Sequence, residues 1–391
     1  MSESKRRVVI TGTGVVSCTG QNRDLFWKNL LASTPGVHAI NEFKEIALNV
    51  TGGGDVGIEG VSVSQRHEAM AQKSINEALG EAGLIPGPVG FSWSCGLDMF
   101  ETFGGSSDAK GSIRRAGALF LRLADRFEGP ATMVATACAS GAQAIGEAFR
   151  SVRSGRLESC VAGGSSMILS PFYLIGFSAL GAVACDRDEF SPEESCRPFD
   201  EKRSGFSLSD GAAAVVVESL ESARKRGANV LAEIKAFGVS QDAYDYHRPP
   251  EDGRGAALSI HRALQEAAIS PREIHAINAH ATGTLTGDVA EATAIRTVFK
   301  NQWEKIPICA IKGAVGHSMS AAGAIQAVAS VCSGRNGVLP PTVNLKNPGE
   351  GCELYHVMER PLFADVKNIL SLSFGMGGQN AALVIQRMND E

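Results

Sequence analysis

Thr136-Ala137-Cys138-Ala139-Ser140-Gly141 runs into Ala142, Ile145, Ala148, Phe149 and Val152, so a cysteine stands where apolar residues begin to recur every three or four positions. That spacing predicts a helix whose N-terminus lies at or just after Cys138. Unpaired N–H groups and the positive dipole end of such a start favour a thiolate and bind an oxyanion. A cysteine among alanines and glycines is more often a small buried core residue, so the reading depends on partners elsewhere in the chain.

Two distant segments supply them. His280 stands in Asn278-Ala279-His280-Ala281-Thr282-Gly283-Thr284, after the apolar run Ile274 to Ile277, which reads as a buried strand emptying into a polar loop. His317 closes Lys312-Gly313-Ala314-Val315-Gly316-His317, just before a small-residue helix expected over Ala321 to Val331. Each histidine alone is weak evidence. Three junctions, each with a catalysis-capable residue among small residues, are what a nucleophile site needs where backbones must approach a substrate closely.

Outward from these segments the pattern is mixed α/β. Val8 to Ile10, Gly211 to Val217, Leu231 to Phe237, Ile274 to Ile277, Ile306 to Ile311 and Ala381 to Ile385 read as strands. Segments near Ala69 to Ala82, Ala142 to Val152, Ala256 to Ala267 and Ala290 to Phe299 read as helices. Such alternation implies helices packed on sheets. Gly12, Gly14 and Gly20 resemble a dinucleotide-binding turn, but Ser17 occupies the third glycine position and no suitable acid follows; the better reading is a tight strand-to-helix connection.

With 391 residues, 44% hydrophobic and 20% charged, the chain has room for two domain-sized units around an ordinary globular core. A net charge of −5 argues against general nucleic-acid binding, so any basic docking surface must be local. The odd count of nine cysteines, with no CxxC pair, fits free thiols better than a disulfide framework or a zinc site. Met1 to Arg7 is charged rather than a signal core, and no stretch approaches the roughly 18 apolar residues of a membrane span; the expected location is the cytoplasm.

At this point the chain resembles a known family, the β-ketoacyl-acyl carrier protein synthases of the decarboxylating Cys-His-His type. The match is collinear, from Arg7-Val8-Val9-Ile10-Thr11-Gly12 through the Cys138 segment, Arg197-Pro198-Phe199-Asp200, Gly205-Phe206 and Asp210-Gly211-Ala212. It continues through His280 with Thr282, Thr284, Gly287, Asp288 and Glu291, then Lys312, Gly316-His317 and Ala321-Ala322-Gly323-Ala324. It ends at Ser373-Phe374-Gly375-Met376-Gly377-Gly378-Gln379-Asn380. The resemblance implies the thiolase-like fold, an α/β architecture of two related halves. The charged seam Glu218 to Gly227 divides them into residues 1–228, with the nucleophile, and 229–391, with both histidines.

It also implies a mechanism. Cys138 takes an acyl chain from a carrier thioester. His280 and His317 hydrogen-bond the malonyl thioester oxygen as decarboxylation leaves an enolate. The N–H groups of Cys138 and Phe374 hold the oxyanion, and Phe374 resembles a gate. Lys312 orders the site, Glu291 joins its network, and Thr282 and Thr284 bond the phosphopantetheine arm. Asp288 and Glu291, three apart at a helix start, read in themselves as solvated capping carboxylates. By position in the family, Arg66, Arg114, Arg115 and Arg187 are the candidates for docking an acidic acyl carrier protein. No cofactor or metal is expected, and the partner subunit is a second copy or a paralogue.

Departures from the family fall where substrate choice is set. Met376 and Gln379 replace a Phe and a Thr, Ala281 and Gly283 replace Gly and Ser, and the region from Asp98 to Arg126 is shorter than usual. A thiolase would carry a second cysteine in Gly375-Met376-Gly377-Gly378, an initiating synthase an Asn at His317, and a chain-length factor no Cys138. A fatty-acid-type elongating enzyme and the catalytic ketosynthase subunit of a type II polyketide or polyene synthase both remain open. A pure carrier-binding scaffold would not need the three residues together.

Overall fold

The computed structural model describes residues 6–41, 50, 52–95, 117–185 and 190–388. Arg114, Arg115 and Arg187 lie outside the described residues, as does the 98–116 part of the shortened region.

Strand β1, Val8–Ser17, is buried along its whole length. It runs past the expected end at Ile10 because Gly12 and Gly14 lie inside it rather than in a connection. A Cβ at either position would collide with a carbonyl oxygen, of Ala78 or Ser74, on helix α1, Val63–Ala82. These glycines let a helix backbone rest on a strand backbone.

The further strands of the main sheet are β2 (Gly90–Ser94), β3 (Ala131–Val134), β4 (Ser159–Ser166), β5 (Gly211–Ser219), β6 (Ala232–Gln241), β7 (Ala276–Asn278), β8 (Ile308–Cys309), β9 (Asn368–Phe374) and β10 (Gln379–Arg387). Their order is β8-β7-β9-β10-β6-β1-β5-β4-β2-β3. Outward from β1 the neighbours are β5 and β4, both antiparallel, then β2 and β3, both parallel. Outward from β6 they are β10 and β9, antiparallel, then β7 and β8, parallel. One strand plan therefore occurs on each side. The sides join where Val8, Val9 and Ile10 pair with Ile234, Glu233 and Ala232.

Between the two sides of the sheet lie α2 (Ser140–Arg153) and α5 (Ala322–Asn336), which share one core cluster with β1, β5, β6 and β10. Every residue from Ala322 to Gly334 is buried, as a helix of small residues must be when covered all round. Outside, α1 packs against β2 and β5, while α3 (Arg254–Ala267) and α4 (Leu285–Phe299) pack against β6, β9 and β10. The result is the layered thiolase-like α/β fold. The strand expected over Ile274 to Ile277 begins later, at Ala276, because Ile274 closes a 3₁₀ turn over Pro271–Glu273, and it runs on to Asn278. The one expected over Ile306 to Ile311 shortens to β8, with Ile311 already capping the turn that carries Lys312. Among the described residues no helix is long and apolar enough to cross a membrane.

Candidate active site

Cys138 sits in a 3₁₀ turn, Ala137–Ala139, that leads into α2. Ala137 has φ 49°, and the Ser140 hydroxyl fastens the turn, accepting from the Thr136 N–H at 2.7 Å and donating to the Ala137 carbonyl at 2.6 Å. The Cys138 Sγ lies 3.5 Å from Met319 Sδ. Helix-start logic favours a thiolate, but burial pushes the Cys138 thiol above its ordinary value. The N–H of Met376, the charge of Lys312 and the residue's own backbone N–H pull it down by less. The resting group is a thiol.

His280 follows β7 and His317 follows the short helical turn Lys312–Val315. Their rings lie 5.6 Å apart at 82°, and the Phe374 ring is 5.7 Å from that of His280. Burial and then the Lys312 charge hold both imidazoles well below the usual histidine range, so both are neutral near pH 7. Neutral imidazoles can donate one N–H without adding a counter-charge.

Lys312 is 1% exposed. Its Nζ donates to the His280 carbonyl, to Gln326 Oε1 at 2.7 Å, and approaches His280 Nδ1 at 3.4 Å. Glu291 holds the same backbone from the other side, accepting from the N–H groups of His280 at 2.8 Å and Ala281 at 2.7 Å. Asp288 accepts from Phe199 at 2.7 Å and Gly283 at 3.1 Å. Neither acid is a solvated cap, contrary to the expectation from their position at a helix start. Both are fully buried, because α4 turns its first two turns against the His280 loop. Burial raises Glu291 and lowers Lys312 while each charge opposes the shift of the other.

Sequence reasoning missed Gln326. Its Nε2 donates to the carbonyls of Ala279 and Leu372, both at 3.0 Å, tying the His280 loop to β9 and to Lys312. The available signal was an amide among the small and apolar residues of the helix expected over Ala321 to Val331.

Cys138, His280, His317, Phe374, Thr282, Thr284 and Glu291 all line one cavity of about 310 Å³, so the structure brings together the residues that the sequence separates by up to 236 positions between Cys138 and Phe374. The hydroxyls of Thr282 and Thr284 lie 3.0 Å apart. Arg66, by contrast, is ion-paired with Asp55 at 2.7 Å.

The β-ketoacyl synthase N-terminal domain family matches residues 106–223 and its C-terminal domain family residues 231–346. A 3-oxoacyl-[acyl-carrier-protein] synthase 2 from Coxiella burnetii is 34% identical over 99% of this chain and 100% of its own length. The chain belongs to the β-ketoacyl synthase family. The mitochondrial 3-oxoacyl-[acyl-carrier-protein] synthase of Arabidopsis thaliana is 32% identical over 97% of this chain and 93% of its own. Among solved structures, a type II PKS ketosynthase in complex with its acyl-carrier protein, AntDE:AntF, superposes with a TM-score of 0.89 at 26% identity, over 99% of this chain and 100% of that one. The ishigamide ketosynthase/chain length factor does so with a TM-score of 0.86 at 29% identity, with the same coverage. This β-ketoacyl synthase is a condensing enzyme of the acyltransferase class.

Proposed function

We propose that this β-ketoacyl synthase elongates acyl chains on acyl carrier protein, with Cys138 as the acyl-carrying nucleophile and residues 1–228 and 229–391 as two related halves. The observation that carries the assignment is the pair of neutral imidazoles, His280 and His317, in one cavity with a buried thiol. The Cys138 Sγ attacks the acyl thioester, the C–S bond to the carrier breaks, and the carrier thiol leaves with the proton. Malonyl carrier then occupies the cavity. Its C–C bond breaks, carbon dioxide departs, and the enolate oxygen accepts from His280 and His317. The enolate carbon attacks the acyl group, Cys138 leaves as thiolate, and a 3-oxoacyl thioester two carbons longer results.

Lys312, Glu291 and Gln326 position His280 and touch no reacting atom. Backbone N–H groups of Cys138 and Phe374 take the oxyanion, Phe374 is the gate, and Thr282 with Thr284 holds the phosphopantetheine arm. None of these steps calls for a metal or cofactor. The relatives' names and the carrier-bound AntDE:AntF assembly support acyl carrier protein as partner. We place the reaction in the cytoplasm and take Arg66, Arg114, Arg115 and Arg187 as the candidates for carrier docking. A second reading, the ketosynthase subunit of a type II polyketide or polyene synthase, is favoured by the fit to AntDE:AntF and to the ishigamide ketosynthase/chain length factor.

The test supplies purified enzyme with acyl- and malonyl-carrier and follows carbon dioxide and 3-oxoacyl product. Cys138→Ala is expected to abolish condensation while decarboxylation persists; normal condensation by that variant would overturn the assignment. Activity of the chain as a homodimer supports the first reading, and dependence on a ketosynthase-like second chain supports the other.

A further inference from the structure

The active-site cavity changes character along its length. Cys138 and His317 are 6% and 1% exposed at one end, whereas Leu285, also in its lining, is 61% exposed at the other. The segment Asp242 to Pro250 contributes Asp245, His247, Arg248 and both prolines to that open end. Among the described lining residues, Arg248 alone carries a permanent positive charge.

The segment is built to hold that charge in place. Asp245 Oδ1 accepts from the backbone N–H groups of His247 at 2.9 Å and Arg248 at 3.3 Å, and Pro249 and Pro250 limit the backbone just beyond. The His247 Nδ1 lies 2.7 Å from Asp245, and its ring packs against Tyr246 at 4.6 Å. Two of the acids nearby are engaged: Asp242 accepts from Asn380 at 2.7 Å, and Asp252 pairs with Arg254 at 3.4 Å. The exposed Arg248 guanidinium has no ion-pair partner among the described residues.

We infer that Arg248 is a specificity-determining residue that binds the phosphodiester of the phosphopantetheine arm at the cavity mouth. The inference rests on the proposed function, which puts a thioester at Cys138. The arm then leaves past Thr282 and Thr284, and its only charged group lies at the end away from the thioester. A guanidinium matches a phosphodiester with two parallel N–H···O bonds, which an ammonium cannot reproduce. At an exposed mouth the contact is screened, so its effect is modest and falls as salt rises.

The experiment measures acylation of Cys138 by two small thioesters, acyl-phosphopantetheine and acyl-pantetheine, which differ only in the phosphate and involve no carrier protein. The parent enzyme is expected to favour the phosphorylated donor by about three- to tenfold in kcat/KM at low salt. Arg248→Ala is expected to bring the ratio to one by raising KM for the phosphorylated donor alone. Arg248→Lys should keep part of the preference. A parent with no preference, or an Arg248→Ala variant that keeps it, overturns the assignment of Arg248 while leaving the condensing reaction intact. Failure of both donors to acylate the parent at Cys138 overturns the proposed function and this inference with it.

Discussion

Helices α2 and α5 enter the middle layer in the same way. Each follows a 3₁₀ turn whose first residue has a positive φ: Ala137 at 49° before Cys138, and Met319 at 41° before Ser320. Each has a glycine three residues later, and the two glycines face each other. A Cβ on Gly141 would lie 2.8 Å from the Ala324 nitrogen, and one on Gly323 would lie 2.6 Å from the Ala142 nitrogen. Yet Cys138 lines the cavity, while Ser320 donates to the Ser165 carbonyl at 2.9 Å and accepts at its own carbonyl from Ser94 at 3.0 Å. The strained entry is therefore a property of the fold, present with and without a candidate nucleophile. What differs is the link before it. Residues 135–136 join β3 to the first turn, whereas residues 310–318 join β8 to the second and hold both Lys312 and His317. One side of the sheet presents the thiol just after a short link, and the other carries Lys312 and His317 on a long one.

The largest test of that division exchanges the two positions. Cys138→Ala should abolish acyl-enzyme formation, while Ser320→Ala should stay within about threefold of the parent rate and lose about 1 kcal/mol of stability for one hydrogen bond. The double variant Cys138→Ala with Ser320→Cys should form no acyl-enzyme by intact-mass measurement, because Ser320 faces Ser165 and not the cavity. Acylation of the transplanted thiol would mean that the backbone turn, rather than its surroundings, makes the nucleophile.

A smaller effect follows from the facing glycines. Gly141→Ala and Gly323→Ala each force a methyl group against backbone atoms that cannot move aside, so each should cost about 1–3 kcal/mol in denaturant unfolding. Because the contact is shared, the double variant should cost less than the two single changes together. Acyl loading should slow more in Gly141→Ala, which is nearer Cys138. Strict additivity would show that the two helix starts relax separately and that their close approach is not a single packing event.

The candidate site residues that the fold brings to one cavity were legible because each has a local signature that small residues make conspicuous: a thiol before helical spacing, and histidines after apolar runs. The repeated strand plan was not legible. It is a property of order and direction, and the two halves meet it with different residues, β5 with Gly211–Ser219 and β10 with Gln379–Arg387. The burial of Asp288 and Glu291 was also hidden. Carboxylates at a helix start look the same in sequence whether the first turn faces water or, as here, the N–H groups of Gly283, His280 and Ala281. Gly12 and Gly14 misled for a related reason, since a glycine needed for close helix packing is written the same way as one needed for a turn.

The finest effect concerns how the long link acts on the histidines it accompanies. Burial is the first cause that holds His280 and His317 below the ordinary histidine value of about 6.5, and the Lys312 charge is the second. Both rings must be neutral to serve the enolate as proposed, so decarboxylation of malonyl carrier is lost as pH falls through their folded values. In Lys312→Met that charge is gone. Both values rise, burial keeps them under the ordinary one, and the acid limb of the rate profile moves to higher pH. The stability profile carries the same sign: an unfolded histidine takes up protons that the folded one refuses, so stability falls as pH drops below about 6.5, and it falls less in the variant. The height of the profile also drops, because the His280 carbonyl and Gln326 lose their donor. The informative readout is therefore the midpoint of the acid limb. Lys312→Arg, which keeps the charge, should leave that midpoint near the parent's even where its rate is lower. An acid limb that stays in place in Lys312→Met, or moves to lower pH, would show that Lys312 serves only to hold the His280 loop.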